Sequence, residues 1–190
     1  MSNYTLALFC HFLGLVGLFV GYGLEWIVSA LLRKAATVEQ VRAWLRVYRT
    51  SLPISGPGLL VLILSGAYMA AQVGAMKEGW MSVSMLAILL ALGIGFVFIL
   101  PRVRTLRGAL GDGGGALPAK AAELLQAPGL PTLIRVRAMI ALGIVYLMTV
   151  KPATFGASIA ALGVAIVLGV LASVKTFGKS GGQLPASSGQ

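Results

Sequence analysis

Hydrophobic residues along this chain come in long, nearly unbroken runs, and the charged residues are gathered into the gaps between them. A helix needs about 20 mostly apolar residues to cross the hydrocarbon core of a bilayer. Leu6 to Leu32 is the first such run, interrupted only by His11 and Glu25, and Ile54 to Val73, Met81 to Leu100 and Phe155 to Val174 carry no charge. A fifth run, Leu133 to Val150, holds Arg135 and Arg137 near its start. Long arginine side chains reach the head groups from a helix end, which keeps this run a span. The pattern predicts an all-α, polytopic transmembrane helix bundle with spans over about residues 5–32, 54–75, 80–101, 133–150 and 153–174, all in one domain, 1–176. The alternative is four spans plus a re-entrant hairpin that turns at Lys151 and Pro152.

The gaps have patterns of their own. Thr37 followed by Gln40 fits a capping box, and Val38, Val41, Leu45 and Tyr48 then recur at helical spacing, with Arg42, Arg46 and Arg49 on the other side. Residues 37–50 are therefore expected to form a helix lying on the membrane surface, with Trp44 and Tyr48 at head-group level and Pro53 ending it. Between Arg102 and Pro131 a loop is expected, flexible at Gly111 to Gly115, with a helical turn or two over Ala119 to Ala127. Residues 177–190, rich in Gly and Ser, are expected to be a disordered cytoplasmic tail.

Charge then orients the bundle. In a soluble protein, 15 Lys and Arg against 5 acidic residues would point to nucleic acid. Here the cations sit in the gaps, so no nucleic-acid partner is expected. Thirteen fall on one side of the five spans, and only Lys77 and Lys151 on the other. By the positive-inside rule this predicts N-out/C-in topology in a bacterial inner (plasma) membrane, with anionic lipid head groups as partners on the cytoplasmic side. The first run is too long for a signal peptide. Cys10 is the single cysteine, which excludes an internal disulfide and a cysteine-based zinc cluster.

Two ionisable residues lie inside a span. His11 and Glu25 are 14 positions apart, which puts them on one face of the first helix to within about 40° and about 21 Å apart along its axis. Tyr22 shares that face, and Gly17 with Gly21 makes a small-residue pair where another backbone approaches closely. His11 is a candidate haem or metal ligand or proton-transfer group. The simpler reading, an interhelical hydrogen bond, is favoured because one histidine is weak evidence for a metal site. Glu25 is a candidate cation or proton site, with pairing to Arg33 or Lys34 as the simpler reading. Tyr68, Gln72, Ser82, Tyr146 and Thr149 lie at depths that make them candidates to converge on His11, and Met69, Met76, Met81 and Met148 offer soft thioethers that equally well fill gaps. No phosphate-binding Gly-rich loop with Lys and no Ser-His-Asp set is present, so the ordinary hydrolase routes are closed.

At His11-Phe-Leu-Gly14, and at Gly56-Pro-Gly58-Leu-Leu-Val-Leu-Ile-Leu-Ser-Gly66-Ala-Tyr68, the chain resembles a family of predicted bacterial integral membrane proteins of uncharacterised function. That family is distantly similar to the copper-resistance D-type membrane proteins and to the haem-containing membrane protoporphyrinogen oxidase. The resemblance implies a helical bundle with His11 as a haem b or metal ligand. Because His11 is the only histidine, bis-histidine ligation within one chain is impossible. Three readings are open: a membrane protein of undetermined biochemistry with a haem or metal site at His11, a small transporter or channel-like subunit with Glu25, Tyr68 and Gln72 along a path, and a membrane haem oxidoreductase. A homo-oligomer or a membrane-complex partner is compatible with each.

Overall fold

In the computed structural model, which describes residues 2–178 with side chains through residue 174, α1 runs from Asn3 to Leu32. Ser2 caps it, its hydroxyl accepting from the Thr5 N–H at 3.2 Å. Glycines set how the next span meets it. A Cβ on Gly14 would lie 2.7 Å from the Gly58 carbonyl oxygen, and one on Gly58 would lie 2.9 Å from that of Gly14. Only two bare backbones fit there. α3 (Ser51–Gln72) accordingly packs along α1 for most of its length.

Between them lies α2 (Val38–Arg49), a helix where the capping signature and the apolar stripe expect one. The Thr37 hydroxyl accepts from the Gln40 N–H at 3.4 Å, and the Gln40 amide oxygen accepts from the Ala36 N–H at 2.8 Å, the reciprocal pattern of a capping box shifted by one residue. Val38, Val41 and Leu45 are buried. Pro53 does not end this helix. It sits in the first turn of α3, where its missing N–H would have had no intrahelical partner.

After a 3-10 turn at Ala75–Lys77, α4 (Gly79–Gly93) leads through a π-helical segment, Ile94–Ile99, into α5 (Leu100–Ala109) without a break. Thirty-one helical residues measure roughly 46 Å against a hydrocarbon core of about 30 Å. Arg102 to Ala109 is therefore helix protruding from the core, not loop. α6 (Ala119–Gln126) follows, with Ala121 and Leu125 buried. The intervening glycines are tied down: the Val38 N–H donates to the Gly115 carbonyl at 3.0 Å, the Gly115 N–H donates to Glu39 Oε1 at 2.7 Å, and Arg42 donates to the Gly111 carbonyl at 2.5 Å.

α7 (Gly129–Val150) and α8 (Phe155–Gly178) are full-length antiparallel helices joined at Lys151, which ends α7 in a left-handed conformation. Five helical segments are long and apolar enough to cross a membrane, so the pair is two spans and not a re-entrant hairpin. No strand occurs among the described residues. α8 covers residues 177 and 178; the rest of the expected tail lies outside the described residues. Large apolar side chains such as Leu13, Val16, Leu64, Leu86 and Leu89 are more than half exposed and face where lipid tails would be.

Candidate functional site

Two polar places lie on the face of α1 that the helical spacing indicates. Nearer the α2 end, Glu25 is buried and forms an ion pair with Arg137 of α7. Its second oxygen lies 3.1 Å from the Ser51 hydroxyl, whose single proton is shared with the Tyr48 carbonyl at 2.8 Å. Arg137 stacks over the Tyr22 ring, 4.4 Å from its centroid. Glu25 is thus partnered from across the bundle, not by Arg33 or Lys34 on the next turns. A buried carboxylate away from water requires a counter-charge at contact distance, and α7 brings one to it.

The arginines of α7 do not snorkel. Arg135 is 4% exposed; it donates to the Ala172 carbonyl of α8 at 3.2 Å and lies 5.6 Å from the Trp26 ring centroid. The Nε atoms of Arg135 and Arg137 are buried without a hydrogen-bond partner. Two residues apart on a helix, the two side chains leave on nearly opposite sides, so they cannot both reach one head-group layer by the same route.

The π-helical segment makes room for this pair. A Cβ on Gly95 would come 2.7 Å from Arg137 Nη1. Single π turns inside α-helices are frequent at functional sites, and this one puts its glycine against the buried guanidinium.

The second polar place is His11. The Ser65 hydroxyl donates to the Val61 carbonyl at 2.5 Å, which commits its proton, so His11 Nδ1–H donates to Ser65 Oγ at 3.1 Å. Nδ1 is then the protonated ring nitrogen, so in the neutral imidazole Nε2 carries no proton. The interhelical hydrogen bond is what the structure shows, and Nε2 keeps a lone pair.

Three cavities run between these places. The outermost, about 270 Å³, is lined by His11, Met69, Met81, Met148, Thr149 and Lys151 among others. A small one of about 50 Å³ shares His11, Leu15, Val145 and Met148 with it. The third, about 130 Å³, shares Leu18, Tyr22, Leu59 and Ala91 with the second and holds Glu25, Ser51 and Arg137. Tyr22 and its neighbours form the wall between the His11 side and the ion pair.

The remaining candidates scatter. Thr149 lines the outer cavity with His11, and so do three of the four methionines, whereas Met76 is exposed. Tyr68 and Gln72 are exposed on the outside of α3, and Tyr146 lines a groove between α7 and α8. They do not assemble with Glu25. Trp80 lies under Lys151, its ring centroid 5.6 Å from Nζ. Ser51, Ser65, Gly95 and Arg137 are the site residues that sequence reasoning missed. A serine in an otherwise apolar run, and an arginine two positions from another arginine, were the available signals. No group of three or more His, Cys, Asp or Glu able to hold a metal occurs among the described residues.

A family model for predicted integral membrane proteins, DUF2269, matches residues 5–152. The chain belongs to this family. The matched segment takes in α1 through α7, and with it His11, Glu25, Ser51, Ser65, Gly95 and Arg137; α8, which supplies the carbonyl partner of Arg135, lies outside it. No curated protein and no solved structure matches this DUF2269 chain.

Proposed function

We propose that this DUF2269 protein binds an amphipathic small molecule that enters from the lipid between α3 and α4 and sets its polar group beside Glu25, Arg137 and Ser51. The supporting observation is the shape of the third cavity. Leu52, Gly56 and Leu59 of α3 form one of its walls, Leu92 and Phe96 the opposite one, and the ion pair lies within. α3 packs on α1 and makes no extended contact with α4, so the two walls face each other across a crevice. An ion pair that deep in a membrane is costly to keep and characteristically marks a substrate or proton site. About 130 Å³ admits a polar head and its first carbons, while the remainder of the ligand stays in lipid.

Gly56 offers the test, because a Cβ there meets nothing within 4 Å. Gly56→Phe is expected to plug the crevice without disturbing the fold. Native mass spectrometry of protein released from its own membranes should show a small-molecule adduct that Gly56→Phe loses at unchanged thermal stability. Absence of any adduct on the unaltered protein, or an adduct that survives Gly56→Phe, would overturn the reading.

The same reading takes the bundle as N-out/C-in in a bacterial inner membrane, supported by thirteen cations against two across the span ends. Reporter fusions after Lys77 and after Gly113 should report opposite sides. A second reading, haem or a soft metal at His11, draws on the free Nε2 and on the thioethers that share its cavity. A Soret band in the purified protein that His11→Ala abolishes would establish it, and colourless protein grown with a haem precursor would remove it.

A further inference from the structure

A second concave site lies outside the lipid-facing crevice, at the α2 end of the bundle. The cleft between α2 and the last turn of α5 has a volume of about 660 Å³ and is lined by Arg42, Arg46 and Arg107 with Glu39 and Asp112. Its floor is Leu45 and Leu110, both buried. Arginines near helix C-termini often do no more than complement the helix dipole, and Arg46 and Arg107 sit in the last turns of α2 and α5. That role does not require them to converge. Here the two last turns come from helices more than 50 residues apart in sequence and open onto one cleft.

Among the described residues neither acidic side chain forms an ion pair with a cleft arginine, although the Arg42 charge helps to hold the Glu39 carboxyl low. Glu39 accepts the Gly115 N–H at 2.7 Å, and hydrogen bonds from its own backbone N–H, from Gly115 and from Thr37 hold its carboxyl below the usual range. Glu39 therefore serves to pin the loop. Among the described residues the only ion pair is Glu25 with Arg137, so neither Glu39 nor Asp112 is within ion-pairing distance of a cleft arginine. Arg42 spends one Nη on the Gly111 carbonyl, which fixes its guanidinium at the wall of the cleft.

We propose that this cleft binds a phosphate group, held by Arg42, Arg46 and Arg107. Planar, always-charged guanidinium forks match phosphate oxygens bidentately, and a preset loop and an apolar floor lower the ordering needed on binding. The phosphate could be carried by a lipid head group, since α2 lies at the membrane surface, or by a soluble phosphate; the chemistry of recognition is shared.

The experiment uses the full chain in mild detergent, titrated by thermal shift with inorganic phosphate and, separately, with phosphatidylglycerol added to the micelles. Arg46→Gln combined with Arg107→Gln removes two cleft charges. Arg104→Gln combined with Lys120→Gln removes two exposed charges outside the cleft and is the control. The cleft variant is expected to bind at least about tenfold more weakly, from the loss of charge-assisted hydrogen bonds, and the control less than about twofold. Binding of phosphatidylglycerol alone makes the source a lipid head group, and saturation by inorganic phosphate makes it a soluble one; either supports the site. Equal losses in the two variants, or no saturable binding of either probe to the unaltered protein, would overturn it.

Discussion

His11 and Glu25 lie on one face of one helix, yet the bundle treats them differently. His11 can stay neutral, and its Nδ1–H is met by Ser65 on the adjacent helix α3. Glu25 carries a charge and takes its counter-charge from Arg137, 112 residues away on α7, with a second contact from Ser51. A neutral polar group in lipid can be met by the nearest hydroxyl, whereas a carboxylate constrains which helices pack together. The His11 side is consequently a local detail of the α1–α3 contact, and the Glu25 side decides how α1 and α7 meet.

The contrast breaks most visibly at the ion pair. Glu25→Gln or Arg137→Gln alone should destabilise the protein by about 3–5 kcal/mol, because each leaves a charge buried without its partner. The double change Glu25→Leu with Arg137→Leu should recover most of that loss in an unfolding titration. A double variant as unstable as the single ones would show that the pair does not act as a unit.

Gly95→Ala comes next. Helix propensity alone would favour alanine by up to about 1 kcal/mol. The Cβ would instead meet Arg137 Nη1, and a net destabilisation of roughly 1 kcal/mol or more is expected. A gain in stability would mean that the guanidinium moves aside freely.

At the other end, Ser65→Ala should cost only about 0.6 kcal/mol, the usual size of a hydrogen bond between membrane helices. Nitrogen NMR of the His11 ring should report loss of the single Nδ1–H tautomer in that variant. A cost approaching that of Glu25→Gln would erase the distinction between the two places.

The smallest effect is expected outside the membrane core. Glu39 has its carboxyl held below the usual range, so its tie to Gly115 is fully present above the ordinary carboxylate value and is lost as the pH falls through the depressed one. Hydrogen exchange at the Gly115 amide should stay protected through the ordinary range of glutamate titration and fail below it. Loss of protection already near neutral pH would show that the loop is not held by Glu39.

Much of this architecture was legible in the residues, and its limits were physical. Runs of uncharged residues are sufficient for spans because lipid leaves a backbone few alternatives to helix. The Thr37–Gln40 signature and the Val38–Val41–Leu45 stripe located α2 because that helix is amphipathic, so its two faces differ in composition. Inside the bilayer that asymmetry disappears. A span is apolar all round whether a face meets protein or lipid, which is why depth alone cannot separate Tyr68, Gln72 and Tyr146, which are exposed, from residues that face His11. Proximity in sequence also misled: Arg33 lies two turns from Glu25, but Arg137 is its partner. Pro53 fits a helix start as well as a stop, and only the position of α3 distinguishes them.

By itself, then, the sequence determined the solvent, the number of spans, the amphipathic helix α2 and the two interior polar residues of α1, since each follows from local composition and from the energetic cost of placing polar groups in lipid. Tertiary structure alone decided which cation meets Glu25, that Gly95 clears space for it, that a crevice stays open between α3 and α4, and that Arg42, Arg46 and Arg107 share a cleft. Those are relations between helices far apart in the chain, and such relations are settled by packing against the whole bundle.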